Sequence, residues 1–416
     1  MNERTILHVD LNNFYASVEC SINPSIKDYP VAVGGNESER HGIILASNYH
    51  AKAFGIKTGS SIREAISICP DIIIVPPSFH IYSEISKRVR EIFYKYSDKV
   101  EPFGIDEAWI DVTNSLLLYK SALNIAQLIS QEIKDTFNLT VSIGISFNKI
   151  FSKLGSDYKK PDAITIITRE NYKEIVWPLP VEDLMFVGKA NKAKLNKLGI
   201  YTIGELANKN YDFLKINLGK MGEIIYYFAN GFDNSEVAHK DDYTLPKSVG
   251  NSITTKVDIN NLLEAKIVIF ILSESIATRL KELDLMGSTI SISYRDANLE
   301  TLSRQVKLEN PCDTTDLIAE NAIMLLDDNY DFNIPLRSLG VAVSSLVSKF
   351  NNEQINFFYD NQKEYDKDIA IRNIKEKYGN DKIKRANSLV NKDIASFDPK
   401  GDHIIFPVGF KRDKNK

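Results

Sequence analysis

Three acidic side chains in two distant segments of the sequence could together bind divalent cations. Asp10 ends the apolar run 6–9, and the pair Asp106 and Glu107 precedes a second apolar segment, 108–112. Mg²⁺ prefers oxygen ligands, and carboxylates at strand ends can share one or two such ions. Two ions about 3.5–4 Å apart can activate one oxygen of a phosphate ester while stabilising the oxygen that leaves. An aspartate after an apolar run is also common as an ordinary strand end or cap.

The segments around these acids predict a sheet backed by helices. Residues 4–10 are typical of an apolar strand, and residues 141–145 have the same character. Apolar side chains at helical spacing predict helices at 82–96, 118–137 and 148–157. Strands alternating with helices in this way favour an α+β layer with the acids on its central strands.

Asp106 and Glu107 are neighbours, which constrains how they can act together. On a flat strand their side chains would point to opposite faces of the sheet. They can share cations only if a turn or bulge distorts the chain, and Gly104 would permit that distortion. Asp111 lies further along the same strand, two positions after Trp109, and is interpreted as structural.

Four motifs in a fixed order resemble those of the Y-family DNA polymerases, in particular the bacterial polymerase IV and UmuC-like members. The motifs are VDLNNFYASVE at 9–19, ASNYHAK at 46–52, GIDEAWID at 104–111 and DYKKP at 157–161. The resemblance extends from Ile6 to about Val347. Several ordered motifs make chance agreement between unrelated sequences improbable.

The resemblance implies an α+β multidomain protein with a right-hand polymerase architecture. Its expected domains are a catalytic palm at 1–20 and 75–165, small fingers at 21–74, a helical helix-hairpin-helix thumb at 166–240, an α/β little finger that binds DNA at 246–348, and a C-terminal tail at 349–416. A polar stretch with Pro246, at 241–247, is the expected linker before the little finger.

The same resemblance assigns roles at the metal site. Asp10 and Asp106 would bridge two Mg²⁺ ions, and Glu107 would hold the ion at the primer terminus. Leu11 would offer only its backbone carbonyl to the ion of the nucleotide. Positioning and charge neutralisation do most of the work in phosphoryl chemistry, and no general base is identifiable in the sequence.

Three further residues match family positions that bind the β- and γ-phosphates of the nucleotide: Tyr49, Lys52 and Lys160. Many relatives have arginine where Lys52 stands, and lysine keeps the charge but loses the planar, bidentate fork. Apart from the resemblance, Lys52 and Lys160 would be read as part of solvated helix faces.

Tyr15 lies where the family places an aromatic steric gate against ribonucleotides. A ring beneath the sugar leaves no room for a 2′-hydroxyl and so selects deoxynucleotides. The ordinary alternative is a core aromatic. The gate is favoured because the neighbouring Phe14 can serve the core.

DNA contacts are expected in the thumb and the little finger. Residues 187–206 resemble a helix-hairpin-helix module, whose backbone N–H groups at a helix start hold DNA phosphates. The glycines could instead simply cap helices, and Phe186 stands where the family often has glycine. The residues expected to bind DNA are Gly188, Lys189, Arg295, Arg304 and Arg337.

A short segment after the little finger, QINFF at 354–358, resembles the peptide with which bacterial polymerases bind the sliding clamp. Gln354, Phe357 and Phe358 would fill one polar and one hydrophobic pocket. Five-residue matches also arise by chance, and isoleucine and phenylalanine here replace the commoner leucines.

Composition is consistent with a cytoplasmic, monomeric enzyme. The chain has 416 residues, a formal charge of −4 and 43% hydrophobic residues, and no apolar run approaches the about 20 residues of a membrane span. Cys20, Cys69 and Cys312 are far apart and form no metal-binding pair, which indicates reduced thiols. The negative charge does not by itself indicate a nucleic-acid-binding protein.

Three functional hypotheses account for these features to different extents. The first is a template-directed, Mg²⁺-dependent DNA polymerase that extends a primer on damaged templates, with primer-template DNA and deoxynucleoside triphosphates as substrates. A palm-type nucleotidyl cyclase shares the carboxylates but does not explain the thumb hairpins or the clamp-like peptide. A non-catalytic DNA-binding protein would not need all three acidic positions.

Overall fold

The computed structural model describes residues 4–35, 42–242, 245–349, 362–379, 382–389 and 391–397. The peptide at 354–358, predicted to bind the clamp, lies outside these residues. The described chain divides into two compact units, one ending at residue 242 and the other containing the residues from 245 onward. Among the described helices, none is both long and apolar enough to cross a membrane.

Two sheets organise the first unit. Its strands are β1 (Ile6–Leu11), β2 (Val31–Gly34), β3 (Ile44–Ser47), β4 (Ile73–Val75), β5 (Val100–Pro102), β6 (Glu107–Asp111), β7 (Val141–Ser146) and β8 (Ile164–Ile167). The larger sheet has the order β5-β6-β1-β7-β8, and only its β7–β8 pair is parallel. The smaller sheet has the order β3-β2-β4. Every residue of β1 and β7 is buried, so the centre of the larger sheet is covered on both faces.

Helices pack on these sheets and continue beyond them. They are α1 (Phe14–Ile22), α2 (Tyr49–Ala53), α3 (Ile62–Ile68), α4 (Phe79–Tyr94), α5 (Leu116–Tyr119), α6 (Ala122–Phe137), α7 (Lys149–Tyr158), α8 (Tyr172–Val176), α9 (Lys189–Lys197), α10 (Ile203–Ala207), α11 (Tyr211–Leu218) and α12 (Lys220–Ala229). Six of them begin at a side chain that accepts a hydrogen bond from the backbone N–H three residues on. These caps are Asn48, Ser61, Ser121, Asn148, Thr202 and Asn210.

The single helix expected at 118–137 is in fact two helices, so that prediction was wrong. Lys120 has a φ of 68°, outside the helical region, and ends α5. Ser121 then caps α6 by accepting a hydrogen bond from the N–H of Asn124. The apolar periodicity continues through both helices. It therefore gives no sign of the break in the helix that Lys120 makes.

Helix α7 lies very close to the larger sheet because two glycines face each other there. A Cβ added to Gly144 on β7 would lie 1.8 Å from the carbonyl oxygen of Ser152. A Cβ added to Gly155 would lie 3.0 Å from the Cα of Gly144. No side chain fits between helix and strand. This contact brings Lys153 and Ser156 of α7 beside the central strand β1.

The part of the first unit expected to form the thumb, 166–240, shares a core with one side of α7. Helices α8 to α12 pack around side chains that include Val181, Leu195, Ile203 and Ile225. Thr202 and Glu205 form a capping box at the start of α10, in which each satisfies a backbone N–H of the other. The short helices are therefore held by shared packing and by caps rather than by length.

The second unit is a four-stranded sheet with helices on one face. Its elements are β9 (Ser248–Ile259), α13 (Leu262–Glu282), β10 (Leu285–Asp296), β11 (Thr301–Cys312), α14 (Thr315–Asp327) and β12 (Leu336–Ser348). The strand order is β11-β10-β12-β9, antiparallel throughout. Along β10, Ile290, Ile292 and Tyr294 are buried while the residues between them are not. One face of the sheet therefore packs on the helices.

Part of the predicted C-terminal tail packs against this second unit. Helices α15 (Gln362–Tyr378) and α16 (Lys392–Ala395) follow the sheet. Ile394 is 1% exposed and belongs to the same core as α13 and β12. Asp368 of α15 lies 3.0 Å from the ammonium of Lys281 and accepts a hydrogen bond from the N–H of Thr315. The sequence did not predict these helices.

Candidate active site

The three predicted acidic residues meet at one end of β1. In the antiparallel pairing of β1 with β6, Asp10 lies directly opposite Glu107. One position further on, the N–H of Leu11 donates to the carbonyl oxygen of Asp106 at 3.0 Å. Residues directly opposite each other on antiparallel strands have Cβ atoms about 4.5–5.5 Å apart and share a face. The fold therefore brings together residues that are far apart in the sequence.

The bend expected before Glu107 is present, but Gly104 supplies room rather than an unusual backbone. Residues 103–106 form bends that lead into β6, and the φ of Gly104 is not positive. A Cβ at position 104 would lie 3.2 Å from Oδ1 of Asp106 and 3.5 Å from Oε1 of Glu107. Both oxygens thus border one small space, which a larger residue at 104 would fill.

The aspartates carry negative charge that their surroundings do not fully compensate. Burial, and then the charges of Asp10 and Glu107, raise the pKa of Asp106 to about 6. Burial also raises the pKa of Asp10, against the opposing effect of Lys160. No described lysine, arginine or histidine forms an ion pair with Asp106. A cation beside it would relieve this repulsion.

Glu107 is held in its ionised form by two neighbours on the other side. Burial alone would raise its pKa, but the hydrogen bond from His8 and the charge of Lys153 outweigh it and lower the pKa to about 2. The ammonium of Lys153 lies 2.6 Å from Oε2 of Glu107, and Nε2 of His8 lies 3.3 Å from the same oxygen. One oxygen of Glu107 is therefore committed to protein groups.

Lys160 contacts Asp10, one of the predicted metal ligands. It also lies where the phosphates of the nucleotide are expected to bind. Its ammonium is 2.9 Å from Oδ2 of Asp10 and 2.7 Å from Oδ1 of Asp157. Burial opposes its charge, but the two carboxylates raise the pKa of Lys160, so it stays protonated at neutral pH. Its side chain is 31% exposed, so the ammonium can exchange an aspartate for another anion.

The residues at this site fit a divalent cation in chemistry. Within the part of the chain that the structure describes, no three His, Cys, Asp or Glu side chains already converge on one point as ligands would. Lys160 and Lys153 instead neutralise Asp10 and Glu107. The donors are all hard carboxylate oxygens, as Mg²⁺ requires, and Gly104 keeps the space next to two of them open.

Tyr15 lies in an aromatic cluster beside the carboxylates. Its ring stacks on Tyr82 with centroids 4.4 Å apart and contacts Phe79 edge-on at 6.2 Å. Burial, and then the charge of Asp106, raise the pKa of Tyr15 to about 12, so its hydroxyl stays neutral. Phe14 is 3% exposed and fills the core, as expected, whereas Tyr15 is only half-buried.

Tyr49 and Lys52 lie together on α2, at the same site as Lys160. The ammonium of Lys52 is 5.0 Å from the ring centroid of Tyr49 and hydrogen-bonds to the side chain of Asn13. Burial and the positive charge of Lys160 lower the pKa of Lys52. Two ammonium groups that repel each other next to exposed Tyr49 form a small anion-attracting surface.

Sequence reasoning missed the residues behind the carboxylates: His8, Lys153, Ser156 and Asp157. The signal was weak, since His8 is one polar residue in an apolar strand and the others lie on an ordinary amphipathic helix. Asp111 was interpreted as structural. It accepts a hydrogen bond from the N–H of Thr113 at 3.0 Å, at the far end of β6.

Comparisons with known proteins agree with this geometry. Residues 9–157 match the model of the impB/mucB/samB family, and residues 246–357 match that of its C-terminal domain. A DNA polymerase IV of Acetivibrio thermocellus is 43% identical over 396 residues, which cover 94% of this chain and 99% of the relative. The chain belongs to the impB/mucB/samB family of Y-family DNA polymerases.

Other members of the family give the same result. DNA polymerase IV 1 of Bacillus subtilis is 37% identical over 390 residues, which cover 93% of each chain. A solved Y-family DNA polymerase chimera of Dbh and Dpo4 is 26% identical with a TM-score of 0.74, and the match covers 83% of this chain and 99% of that chain. The right-hand architecture expected from the sequence is confirmed.

Phe186, in the predicted thumb hairpin, adopts a backbone conformation that glycine favours. It has a φ of 69°, in the left-handed region. Its ring is 53% exposed and stacks on Phe228, with centroids 5.8 Å apart. Gly188 begins α9 without a side-chain cap, and nothing lies within 4 Å of a Cβ added there. The first N–H groups of α9, from Lys189 onward, therefore have no side-chain cap at an exposed helix start.

The little finger separates two arginines that the sequence grouped. Arg295 lies opposite Thr301 and Ser338, on the open face of the sheet. Arg304 lies opposite the buried Ile292, and its Nε donates to the side chain of Asn329 at 3.0 Å. The side chain of Arg304 is therefore turned toward the helix-covered face, although it is exposed. The open face forms a concavity of about 840 Å³ whose lining includes serines and glycines, and Arg304 also borders it.

Proposed function

We propose that this chain is a template-directed DNA polymerase that adds deoxynucleotides to a primer 3′ end, in translesion synthesis on damaged DNA. The observation that carries the proposal is that Asp10, Asp106 and Glu107 are neighbours at one end of β1 in a member of the Y family. These polymerases depend on divalent metal ions. For this chain the proposal specifies two Mg²⁺ ions, held by the three carboxylates and the carbonyl of Leu11.

When bound, Mg²⁺ would supply Lewis-acid stabilisation of the attacking and leaving oxygens. The chain's own contribution is position and charge. Asp10 and Asp106 present carboxylates whose mutual repulsion favours cation binding. Glu107, held on its other side by His8 and Lys153, adds a third carboxylate in a fixed orientation. Burial keeps competing water away from these groups.

Three residues are proposed to bind the triphosphate: Lys160, Lys52 and Tyr49. Lys160 would exchange its contact with Asp10 for a phosphate oxygen once cations neutralise that aspartate. Lys52 and the hydroxyl of Tyr49 would bind the remaining phosphate oxygens. Tyr15 would lie beneath the sugar and exclude a 2′-hydroxyl, with Tyr82 and Phe79 holding its ring in place.

Primer-template DNA is proposed to lie on the thumb hairpins and the open face of the little finger. The uncapped start of α9, at Gly188 and Lys189, suits a phosphate. The serine- and glycine-lined sheet lets a DNA backbone approach closely, with Arg295 beside it and Arg337 on β12. Few charged contacts imply moderate, salt-sensitive affinity. Arg304 would contribute less than the sequence predicted.

Two further parts of the proposal rest on the sequence. The segment at 354–358, with Gln354, Phe357 and Phe358, would bind the sliding clamp, and the polymerase would act as a monomer. Clamp binding by a peptide of this sequence, compared with the same peptide carrying alanine at Phe357 and Phe358, tests the first. Sedimentation of the full chain tests the second.

Primer extension on an undamaged and an abasic template tests the proposed function. Asp106→Ala should reduce extension at least about 1,000-fold, because several kcal/mol of charge stabilisation is lost. The matched control is Asp111→Asn, on the same strand but away from the site, which should retain activity. Cyclic product from a triphosphate without DNA would favour a cyclase instead, and DNA binding without synthesis would favour an accessory protein.

A further inference from the structure

His8 is a fully buried polar side chain whose own orientation the roles above leave unexplained. It lies on β1 two residues before Asp10 and is 0% exposed. Its ring packs edge-on against Trp109, with centroids 5.3 Å apart. Burying polar atoms among apolar neighbours costs free energy unless they have partners. The position of the ring is therefore explained by the groups that its two nitrogens face.

Those two groups lie on different elements. Nδ1 of His8 is 2.8 Å from the hydroxyl of Ser156 on α7, and Nε2 is 3.3 Å from Oε2 of Glu107 on β6. A neutral imidazole carries one hydrogen, on one of its two nitrogens. With that hydrogen on Nδ1, the lone pair of Nε2 would face a carboxylate oxygen, which is repulsive.

Ser156 can select the favourable tautomer. If its hydroxyl donates to Nδ1, the hydrogen of His8 lies on Nε2, which is 3.3 Å from Oε2 of Glu107 but is not aligned for a hydrogen bond in the structure. Such bonds are often poorly aligned until the ligand binds. In the structure the same hydroxyl donates to the carbonyl oxygen of Lys153 at 2.8 Å. That carbonyl also has its regular partner in the N–H four residues on, so it remains paired when the hydroxyl turns to donate to His8.

Lys153 and His8 lie beside the same oxygen of Glu107. The ammonium of Lys153 is 2.6 Å from Oε2, and Nε2 of His8 is 3.3 Å from it. The other oxygen, Oε1, borders the space beside Gly104 together with Oδ1 of Asp106. The ion pair of Oε2 with Lys153, with His8 next to it, therefore determines which oxygen of Glu107 faces Asp106.

We propose that Ser156 and His8 are positioning residues that, with Lys153, hold Glu107 with Oε1 directed at a divalent cation shared with Asp106. This inference rests on the proposed function, because it takes Glu107 to be a metal ligand. His8 does not touch substrate in this proposal and acts through Glu107. Partners that orient a metal ligand typically contribute 10–100-fold to metal affinity or activity.

Four variants separate this role from a general effect on the fold. Ser156→Ala removes the group that selects the tautomer, and His8→Phe removes the donor to Glu107. His8→Gln keeps an amide N–H near the position of Nε2 and should restore function. Ser152→Ala is the matched control, since Ser152 is buried one turn earlier on α7 and bonds its own helix in the same way.

The measurement is Mn²⁺ binding to the full chain with primer-template DNA, followed by electron paramagnetic resonance without nucleotide. Ser156→Ala and His8→Phe should bind Mn²⁺ about 10-fold more weakly than wild type, whereas Ser152→Ala should be unchanged and His8→Gln should fall within about 3-fold. In primer extension, the Mg²⁺ concentration for half-maximal rate should rise by the same factor, with the KM for nucleotide unchanged.

The outcomes distinguish this inference from the proposed function. If wild type neither binds Mn²⁺ nor extends a primer, the proposed function is wrong and this inference falls with it. If wild type extends a primer but Ser156→Ala matches Ser152→Ala in Mn²⁺ affinity, only the positioning role is overturned. Equal losses in His8→Gln and His8→Phe would also overturn it, because packing rather than the donated hydrogen bond would then be responsible.

Discussion

At the scale of single residues, the site is dominated by two carboxylates with opposite electrostatic surroundings. Asp106 is buried next to other acids and has a raised pKa, whereas Glu107 is stabilised by donors and has a lowered one. The pKa values of these adjacent residues differ because the side chain of Asp106 faces other acids, whereas that of Glu107 faces α7. A bound cation would therefore stabilise the ionised form of Asp106 more than that of Glu107.

Asp106→Asn should therefore stabilise the protein in the absence of divalent metal. A carboxyl whose pKa is about 6 when folded and 3.8 when unfolded binds its proton more tightly in the folded state. Ionised Asp106 thus costs stability above about pH 6, and the cost disappears below the unfolded pKa. We expect thermal denaturation in EDTA to show a gain of up to about 3 kcal/mol at pH 8 and almost none near pH 3.5.

The same thermal denaturation is repeated with Mg²⁺ in place of EDTA. Saturating Mg²⁺ should stabilise wild type and remove the advantage of Asp106→Asn, because the ion replaces the missing positive charge. Asp111→Asn is the control and should not be stabilised at any pH. A gain for Asp106→Asn that is the same at pH 3.5 and pH 8 would contradict the electrostatic explanation.

Tyr15→Ala should retain DNA synthesis and gain insertion of ribonucleotides. Removing the ring leaves space for a 2′-hydroxyl, while the cluster of Phe14, Phe79 and Tyr82 keeps its own contacts. Extension with ribonucleotides and with deoxynucleotides gives the selectivity, which should fall by at least about 10-fold for a relieved clash of roughly 1.4 kcal/mol. Tyr49→Phe is the comparison, and unchanged sugar selection in Tyr15→Ala would refute the gate.

At the scale of elements, the contact between α7 and β7 decides where the second half of the site lies. Helix α7 carries Lys153, Ser156 and Asp157, and each acts on a group of β1, β6 or the segment that follows the helix. The reach of Lys153 and Ser156 to the strands depends on the Gly144–Gly155 approach, since a side chain at either glycine would move α7 away from the sheet.

Gly144→Ala should consequently destabilise the first unit and disturb the site. Its added Cβ would lie 1.8 Å from backbone, so helix or strand must move. Overpacking of this kind typically costs about 1–3 kcal/mol, measurable in thermal denaturation of the full chain. Gly188→Ala is the matched control, because open space surrounds that position and its φ is −74°. Equal stability of Gly144→Ala and Gly188→Ala would contradict the close contact between α7 and β7.

Phe186 stands in the predicted thumb hairpin at a position where the family often has glycine. Its left-handed backbone conformation costs of order 1 kcal/mol or more for a residue with a side chain. Stacking on Phe228 returns about 0.5–1.5 kcal/mol. The backbone cost and the stacking energy are similar in size. Their balance explains how the predicted thumb hairpin can have phenylalanine where the family often has glycine.

At the scale of the whole molecule, the segment after the little finger is part of the fold. Lys281 is only 2% exposed, and its charge is paired with Asp368 of α15, a helix that the sequence assigned to a tail. Further contacts come from the core residue Ile394 and from Arg385, which lies 2.7 Å from Asp316. This part of the chain therefore covers the helical side of the second unit.

Asp368→Ala should destabilise the second unit by about 3 kcal/mol. Removing one partner of a buried ion pair leaves the ammonium of Lys281 uncompensated and the N–H of Thr315 without its acceptor. Hydrogen exchange of α13 and α14, measured by mass spectrometry, reports this unit separately. Glu376→Ala is the control on the same helix, since its pair with Arg372 is exposed and worth less than about 1 kcal/mol. Equal exchange in both variants would contradict the packing of α15.

Much of the architecture follows from local chemistry that the sequence displays. Apolar runs predicted β1 and β7, and helical spacing predicted α4 and α7 to within a few residues. The ordered motifs identified the family, and with it the three acids, because catalytic residue types at fixed spacing survive in a sequence whatever its overall charge. These features depend on neighbours along the chain or on a motif that can be read directly.

The tertiary structure decided what lies behind those acids. His8 and Ser156 are 148 positions apart and meet only because β1 pairs with β7 and α7 lies on both. Likewise, the face on which Arg304 lies follows from strand pairing, and the burial of Lys281 follows from a helix 87 residues later. No local pattern encodes such contacts, because hydrogen bonds and ion pairs depend on distance in space rather than along the chain.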